Sequence, residues 1–378
     1  MGDLVDILAI FGTVFGVATS LGLGVQQIAS GLKSIGILDS TDNTTLVILI
    51  VCITFLSTLS CVSGLGKGIK WLSNINLSLA GLLLISVLLL GPTLFLFQNL
   101  TEALGAYLAN VLGMTFDVGA YTGEKGADWN SAWTIFYWGW WISWAPFVGV
   151  FIARISRGRT IREFIAGTLL VPTLVGFVWF AVMGGAGIHR QLFGDGGLVD
   201  KTDGVVAEKV LFTVLQDMPL GQVLSVIAIL LVAVFFITSS DSGSLVVDML
   251  ASGGHPNPPT WSRVLWALME GAIAIGLLLA GGLKALQAAS LATALPFSVV
   301  LVLMCVATFK AVRYDYRRRE EKEFLGRVEY VRQELQSNFD EHFGRQVDHR
   351  VDNRIDYRIR RTTGPWRGGK HAKDDGRS

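Results

Sequence analysis

Eight apolar stretches, each close to 20 residues long, dominate the first 312 residues of this 378-residue chain. They cover roughly 5–28, 45–65, 75–97, 132–153, 164–187, 220–240, 263–282 and 288–311. A helix needs about 20 apolar residues to cross a bilayer core, where every backbone group must be satisfied internally. The expected fold is therefore an all-α membrane protein of about eight transmembrane helices. Charge follows the same division. Residues 1–312 hold 14 Lys/Arg and 17 Asp/Glu, whereas residues 313–378 hold 17 and 13. This divides the chain into a membrane body, 1–312, and a charged cytoplasmic tail, 313–378. The three cysteines (Cys52, Cys61, Cys305) fall in apolar runs and read as small buried side chains rather than a disulfide framework. The only basic cluster of any length sits in the tail, so nucleic-acid binding has weak support.

The loops set an orientation. Lys67 and Lys70 follow the second span, Arg154, Arg157, Arg159 and Arg162 follow the fourth, and the basic tail follows the eighth. Simple alternation puts all three on one side, so both termini are expected in the cytoplasm of a multi-pass cell-membrane protein. The start, Met1-Gly2-Asp3, carries no cleavable signal peptide by this reading. The four arginines serve as an orientation signal and a regulatory contact for lipid phosphate, tail acids or a neighbouring subunit. Segment 100–116 has helical periodicity but is too polar and short to span. It fits an interfacial helix and a packed loop helix equally. In the tail, 313–345 reads as a charged helix. The repeat Val347-Asp-His-Arg, Val351-Asp-Asn-Arg, Ile355-Asp-Tyr-Arg fits a drifting helical stripe or an alternating strand, and its spacing does not choose. Thr362–Ser378 reads as disordered.

Chemistry concentrates in two places. Six of the eleven tryptophans lie within 129–144, and Tyr137, Trp140, Trp141, Trp144, Phe147 and Phe151 recur at three- and four-residue steps beside Pro146. Trp129 and Trp133 suit an interfacial belt. Trp140, Trp141 and Trp144 lie well inside the span. There they serve either as aromatic packing or as a box for a quaternary ammonium, which cannot donate hydrogen bonds and binds indole faces by cation–π attraction. The second place is Phe235-Phe-Ile-Thr-Ser-Ser-Asp-Ser-Gly-Ser244, where the sixth apolar run ends. Its hydroxyls suit a small cation or simply bond back to their own helix, and Asp241 sits at an edge where water can reach it. Glu270, inside the seventh run, is a functional suspect because charge in the membrane is costly. Asp6 lies near a surface. No phosphate-binding loop, Gly-x-Ser-x-Gly or metal-ligand spacing occurs, and the expectation is a protein that is not an enzyme, with no organic cofactor and no metal beyond sodium.

The segment Trp138-Gly-Trp-Trp-Ile-Ser-Trp-Ala-Pro-Phe-Val-Gly-Val-Phe-Ile-Ala-Arg-Ile-Ser-Arg-Gly-Arg-Thr-Ile-Arg-Glu-Phe164 closely resembles the signature of the betaine/carnitine/choline transporter family. Thr238-Ser-Ser-Asp-Ser242 and Leu65-Gly-Lys-Gly-Ile-Lys70 with Leu72-Ser-Asn74 add to the resemblance, which covers about residues 1–312. It implies an inverted-repeat, leucine-transporter-like fold and secondary transport of glycine betaine, choline or carnitine by alternating access, coupled to Na⁺. By the same resemblance Trp140, Trp141 and Trp144 form the substrate cage, and Phe147 and Phe151 line the pathway. Phe235, Thr238 and Ser239 contribute to the main sodium site. Thr13 and Phe147 fall at a second one, where Val17 replaces a threonine found in some sodium symporters. A homotrimer and a tail facing anionic lipid are also implied. Span four matches the helix that opens the second repeat, so the family's first four helices are expected to have no counterpart here. The alternative is then a non-transporting membrane sensor or an inert fragment.

Overall fold

The computed structural model describes residues 2–63, 68–200, 204–255 and 258–362. The Leu65–Lys70 motif therefore falls partly, and the tail end beyond 362 wholly, outside the described residues. Eleven helices are present among the described residues, with one hairpin of two-residue strands pairing Val199 with Val205. Two compact units separate at Leu301/Val302.

In the first unit, α1 (Gly2–Ser34) is the central element. From Ala9 to Gly31 it is buried on nearly every side. Its small residues permit this. A Cβ on Gly16 would lie 2.8 Å from Ser143 Oγ and 2.9 Å from the Trp144 ring, and one on Gly24 would overlap the Phe236 ring. Against it pack α2 (Asn43–Ser63), α6 (Phe136–Ile155) and α9 (Gly221–Ala251), while α3 (Gly68–Leu90) packs on α9 and α7 (Ile161–Phe193) on α3. The outer faces stay apolar while exposed, as in Leu169, Leu170, Val171, Leu174 and Val175 of α7, which is the surface that meets hydrocarbon. A capping box starts α7: Glu163 N–H donates to Thr160 Oγ1 (3.3 Å) and Thr160 N–H donates back to Glu163 Oε2 (3.0 Å).

Several boundaries differ from the sequence reading. The third span ends at Leu90 rather than 97, because Gly91 N–H makes the last bond of the ladder, to the Val87 carbonyl (3.0 Å), and Pro92 supplies no N–H to continue it. A new helix, α4 (Thr93–Phe116), starts there and absorbs segment 100–116. Then follow α5 (Gly123–Trp129) and a six-residue π-helical stretch, Asn130–Ile135, that leads into α6. Between α7 and α9, Arg190 pairs with Asp217 and donates to the carbonyls of Gly196 (2.9 Å) and Thr213 (3.1 Å), anchoring the hairpin and α8 (Ala207–Gln216). The sixth span does not end at 240; α9 runs on to Ala251. Cys61 is buried as expected, but Cys52 and Cys305 are exposed, on outward faces of their helices.

Seven helices among the described residues are long and apolar enough to cross a membrane. The last, α10 (Thr260–Phe339), is two legs. At Gly281 and Gly282 the backbone leaves helical geometry, and Gly282 takes φ 62°. The leg before the break runs opposite to α9, with Ser262 against Asp248 and Glu270 against Ser240. α1 also opposes α9, with Val17 against Gly243 and Gly24 against Phe236. The leg after the break opposes α1: Thr19 Oγ1 donates to the Leu286 carbonyl (2.7 Å), and Phe297 and Val300 pack with Ala9. The chain thus reverses at the glycine pair, and the seventh and eighth apolar runs become separate legs.

The second unit holds the rest of α10, a π-helical stretch (Asp340–Gly344) and α11 (Arg345–Thr362). Between helix and strand for the four-residue repeat, the chain takes helix. Opposite charges one turn apart, Glu341–Arg345 at 3.0 Å and Glu323–Arg327 at 3.8 Å, support the helix that precedes the repeat.

Candidate functional site

The aromatic residues of α6 divide by direction. Trp138 and Trp141 point outward, at 68% and 71% exposure, whereas Trp140 and Trp144 turn toward α1. Both of their indole N–H groups donate to one atom, Ser20 Oγ, each at 3.0 Å. Ser20 in turn donates to the Gly16 carbonyl at 2.9 Å. Its hydroxyl thereby uses both lone pairs and its proton. The two rings are fixed at their polar edges, and Trp140 stacks on Phe136 with ring centroids 5.6 Å apart.

Ser20 was not singled out in the sequence. The signal lay in its spacing: Gly12, Gly16 and Ser20 recur every four residues, so they form one small-residue face of α1. Deeper in the same contact Ser143 Oγ and Ser290 Oγ lie 2.9 Å apart, tying α6 to the second leg of α10.

Two cavities meet at Trp144, Phe235 and Phe236. One, of about 550 Å³, is lined by Ser20, Trp140, Trp141 and Phe164 as well. The other, of about 830 Å³, is lined by Phe147, Phe151, Thr238, Ser239 and Ser242. Both fall within the range of roughly 300–1,000 Å³ typical of small-molecule sites. The aromatic chain continues along the second cavity: Trp144 meets Phe147 edge-on at 5.4 Å, and Phe147 meets Phe151 at 6.3 Å.

On α9, Thr238 Oγ1 donates to the carbonyls of Val234 (3.0 Å) and Phe235 (2.9 Å). Donation leaves the hydroxyl oxygen's lone pairs for a cation. Thr13 is buried and donates to the Ala9 carbonyl at 2.8 Å. It lines neither cavity. Val17 packs against Gly243. Of the loop arginines, Arg154 reaches Met249 Sδ at 3.2 Å, while Arg157, Arg159 and Arg162 are exposed. Asp241 is not at a wet edge. It is fully buried and accepts from Ser60 Oγ at 2.6 Å, because α9 continues three turns past it. Glu270 is also fully buried and faces α9 rather than either cavity.

The model of the betaine/carnitine/choline family of transporters matches residues 1–317. An uncharacterized transporter of Mycobacterium tuberculosis is 51% identical over 318 residues, covering 83% of this chain and 53% of the relative. A glycine betaine transporter of Bacillus subtilis is 43% identical over 325 residues (86% and 62%). A glycine betaine/proline/choline transporter of Vibrio parahaemolyticus is 45% identical over 319 residues (84% and 56%). The chain spans about half the length of the curated relatives it matches.

Proposed function

Since the chain belongs to the betaine/carnitine/choline transporter family, we propose that it serves the secondary transport of a betaine-type quaternary ammonium solute. The observation that carries this reading is the pair of indoles, Trp140 and Trp144, held edge-on by Ser20 beside two cavities. A trimethylammonium group has no proton to donate, so a hydroxyl-lined pocket gains little from it. Indole faces gain up to about 2 kcal/mol per desolvated contact. The named relatives that carry glycine betaine support the same solute class.

In this reading Trp140 and Trp144 receive the ammonium, Trp141 adds the outer wall of the smaller cavity, Phe147 and Phe151 line the path, and Na⁺ is the coupled cargo. Phe235, Thr238 and Ser239 supply oxygen ligands to that ion, with Thr13 at a second position. Alternating access in a homotrimer moves the solute across the cell membrane, with both termini cytoplasmic. Arg154, Arg157, Arg159 and Arg162 and the tail regulate it through anionic lipid. A non-transporting membrane sensor is the alternative.

The test is calorimetric titration of glycine betaine into the 378-residue chain in lipid nanodiscs, with NaCl and with choline chloride avoided as a competing salt. Saturable binding that sodium strengthens, and that Trp144→Ala removes, is the expected result. Binding that is unchanged in Trp144→Ala refutes the cage, and no binding at all to the folded chain refutes the solute assignment.

A further inference from the structure

The face of α9 turned away from the cavities packs against α2 and the first leg of α10, and one stretch of this contact is rich in polar side chains. α2 contributes Thr54, Ser57, Ser60 and Cys61, spaced so that they share one face. α9 contributes Ser240, Asp241, Ser244 and Asp248, and α10 contributes Arg263 and Glu270. All ten are buried. Three carboxyl groups thus stand in a dry seam with one guanidinium.

Their bonds are incomplete. Ser60 donates to Asp241 Oδ2 (2.6 Å), Ser240 to Glu270 Oε2 (3.1 Å) and Ser262 to Asp248 Oδ1 (2.5 Å). Glu270 Oε1, Asp241 Oδ1, Thr54 Oγ1 and Ser57 Oγ have no partner among the described residues. Glu270 and Ser57 are wholly buried, and Thr54 is 8% exposed. Thr54 packs directly on Gly271, next to Glu270.

Charge arithmetic selects the ligand. Arg263 is always charged and balances at most one carboxylate. It lies seven residues before Glu270 on the same helix, ~10 Å away along the axis. The ion pairs found among the described residues lie elsewhere. From α1 the neighbour of this level is Val17, and from α2 the one titratable group is Cys61, beside Arg263. Among the described residues no positive charge faces Glu270, and one hydroxyl donor does not compensate a carboxylate in the membrane interior. A proton does so without needing room, and it turns an unpartnered acceptor into a donor.

We propose that the α2–α9–α10 seam is a proton-binding site, with Glu270 carrying the proton as a neutral carboxylic acid. The step is a simple ionisation: the Oε–H bond of Glu270 forms or breaks, and the proton comes from or goes to water. Ser240, its hydrogen-bond donor, adjoins Ser239 on α9. The site is independent of which solute the cavities take.

Infrared spectroscopy of the 378-residue chain in lipid nanodiscs at neutral pH tests this. The expected spectrum contains the C=O stretch of a protonated carboxylic acid, shifted by ¹³C-glutamate labelling, unaffected by NaCl, absent in Glu270→Gln and present in Asp241→Asn. Glu270→Gln, an isostere of the neutral acid, is expected to unfold at the same or a higher temperature than the parent. Absence of the band from the parent, its persistence in Glu270→Gln, insensitivity to the glutamate label, or its loss on adding NaCl (a metal cation as the occupant) would each overturn the proposal. The labelled parent decides the matter if the variant does not fold.

Discussion

The two faces of α9 carry nearly the same residue types and do different things. Toward the cavities, Thr238 settles its proton on carbonyls of its own helix, and Ser239 and Ser242 line open space. Toward α2 and α10, Ser240, Asp241 and Asp248 are sealed from solvent, and carboxylate oxygens are left without partners. A hydroxyl can satisfy itself locally and still accept a cation; a carboxylate cannot satisfy itself at all. The first face is built to exchange a ligand with solvent, and the second to hold a charge state fixed by its neighbours.

The sharpest way to break this contrast is to place a positive charge on the sealed face. Asp241→Lys removes an acceptor of the Ser60 hydroxyl and adds a buried cation, and it is expected to cost at least about 3 kcal/mol, enough to lose folded protein on size-exclusion chromatography. The same change at Ser242, on the cavity face, should leave the folded yield near the parent's. Next in size is Trp144→Ala. Losing one desolvated indole face, worth about 2 kcal/mol, predicts at least a tenfold rise in the Kd for glycine betaine by calorimetry, while Trp144→Phe retains part of the affinity. Ser20→Ala leaves both indole N–H groups without their shared acceptor. About 1–3 kcal/mol of stability should go, read as a lower unfolding temperature, together with a shift in tryptophan emission as the rings reorient. The smallest effect belongs to Thr238→Val. Its hydroxyl bonds only within α9, so stability should change by less than about 1 kcal/mol, whereas the sodium dependence of betaine binding weakens. A Thr238→Val protein with unchanged sodium dependence would remove this residue from the ion site.

Where the sequence reading faltered, hydropathy was the cause. The sixth run was ended at 240 because Ser239, Ser240, Asp241 and Ser242 lower the local average, and an average does not distinguish polar groups wetted at a membrane edge from polar groups buried against other helices. The same blindness placed Cys52 and Cys305 indoors, since an apolar run is equally apolar toward lipid and toward protein. The third boundary slipped for a different reason: Leu94, Phe95 and Leu96 keep the run apolar past Pro92, although the ladder has already broken. The tryptophan face of α6 was legible because a three- and four-residue recurrence has one meaning on a helix. Which rings turn inward was not, because Trp140 and Trp141 are adjacent and only the position of α1 separates them.

By itself the sequence determined the membrane body, the charged tail, the concentration of indoles in one helix and the presence of carboxyl groups within apolar runs. Those follow from solvent preference and helical period, which are properties of a chain read locally. Only the tertiary structure decided that Ser20 holds two indoles, that α9 has one open and one sealed face, and that the chain reverses at Gly281-Gly282. These depend on which helices stand next to one another, and contacts between residues as far apart as Thr19 and Leu286, or Ser60 and Asp241, leave no trace in local periodicity.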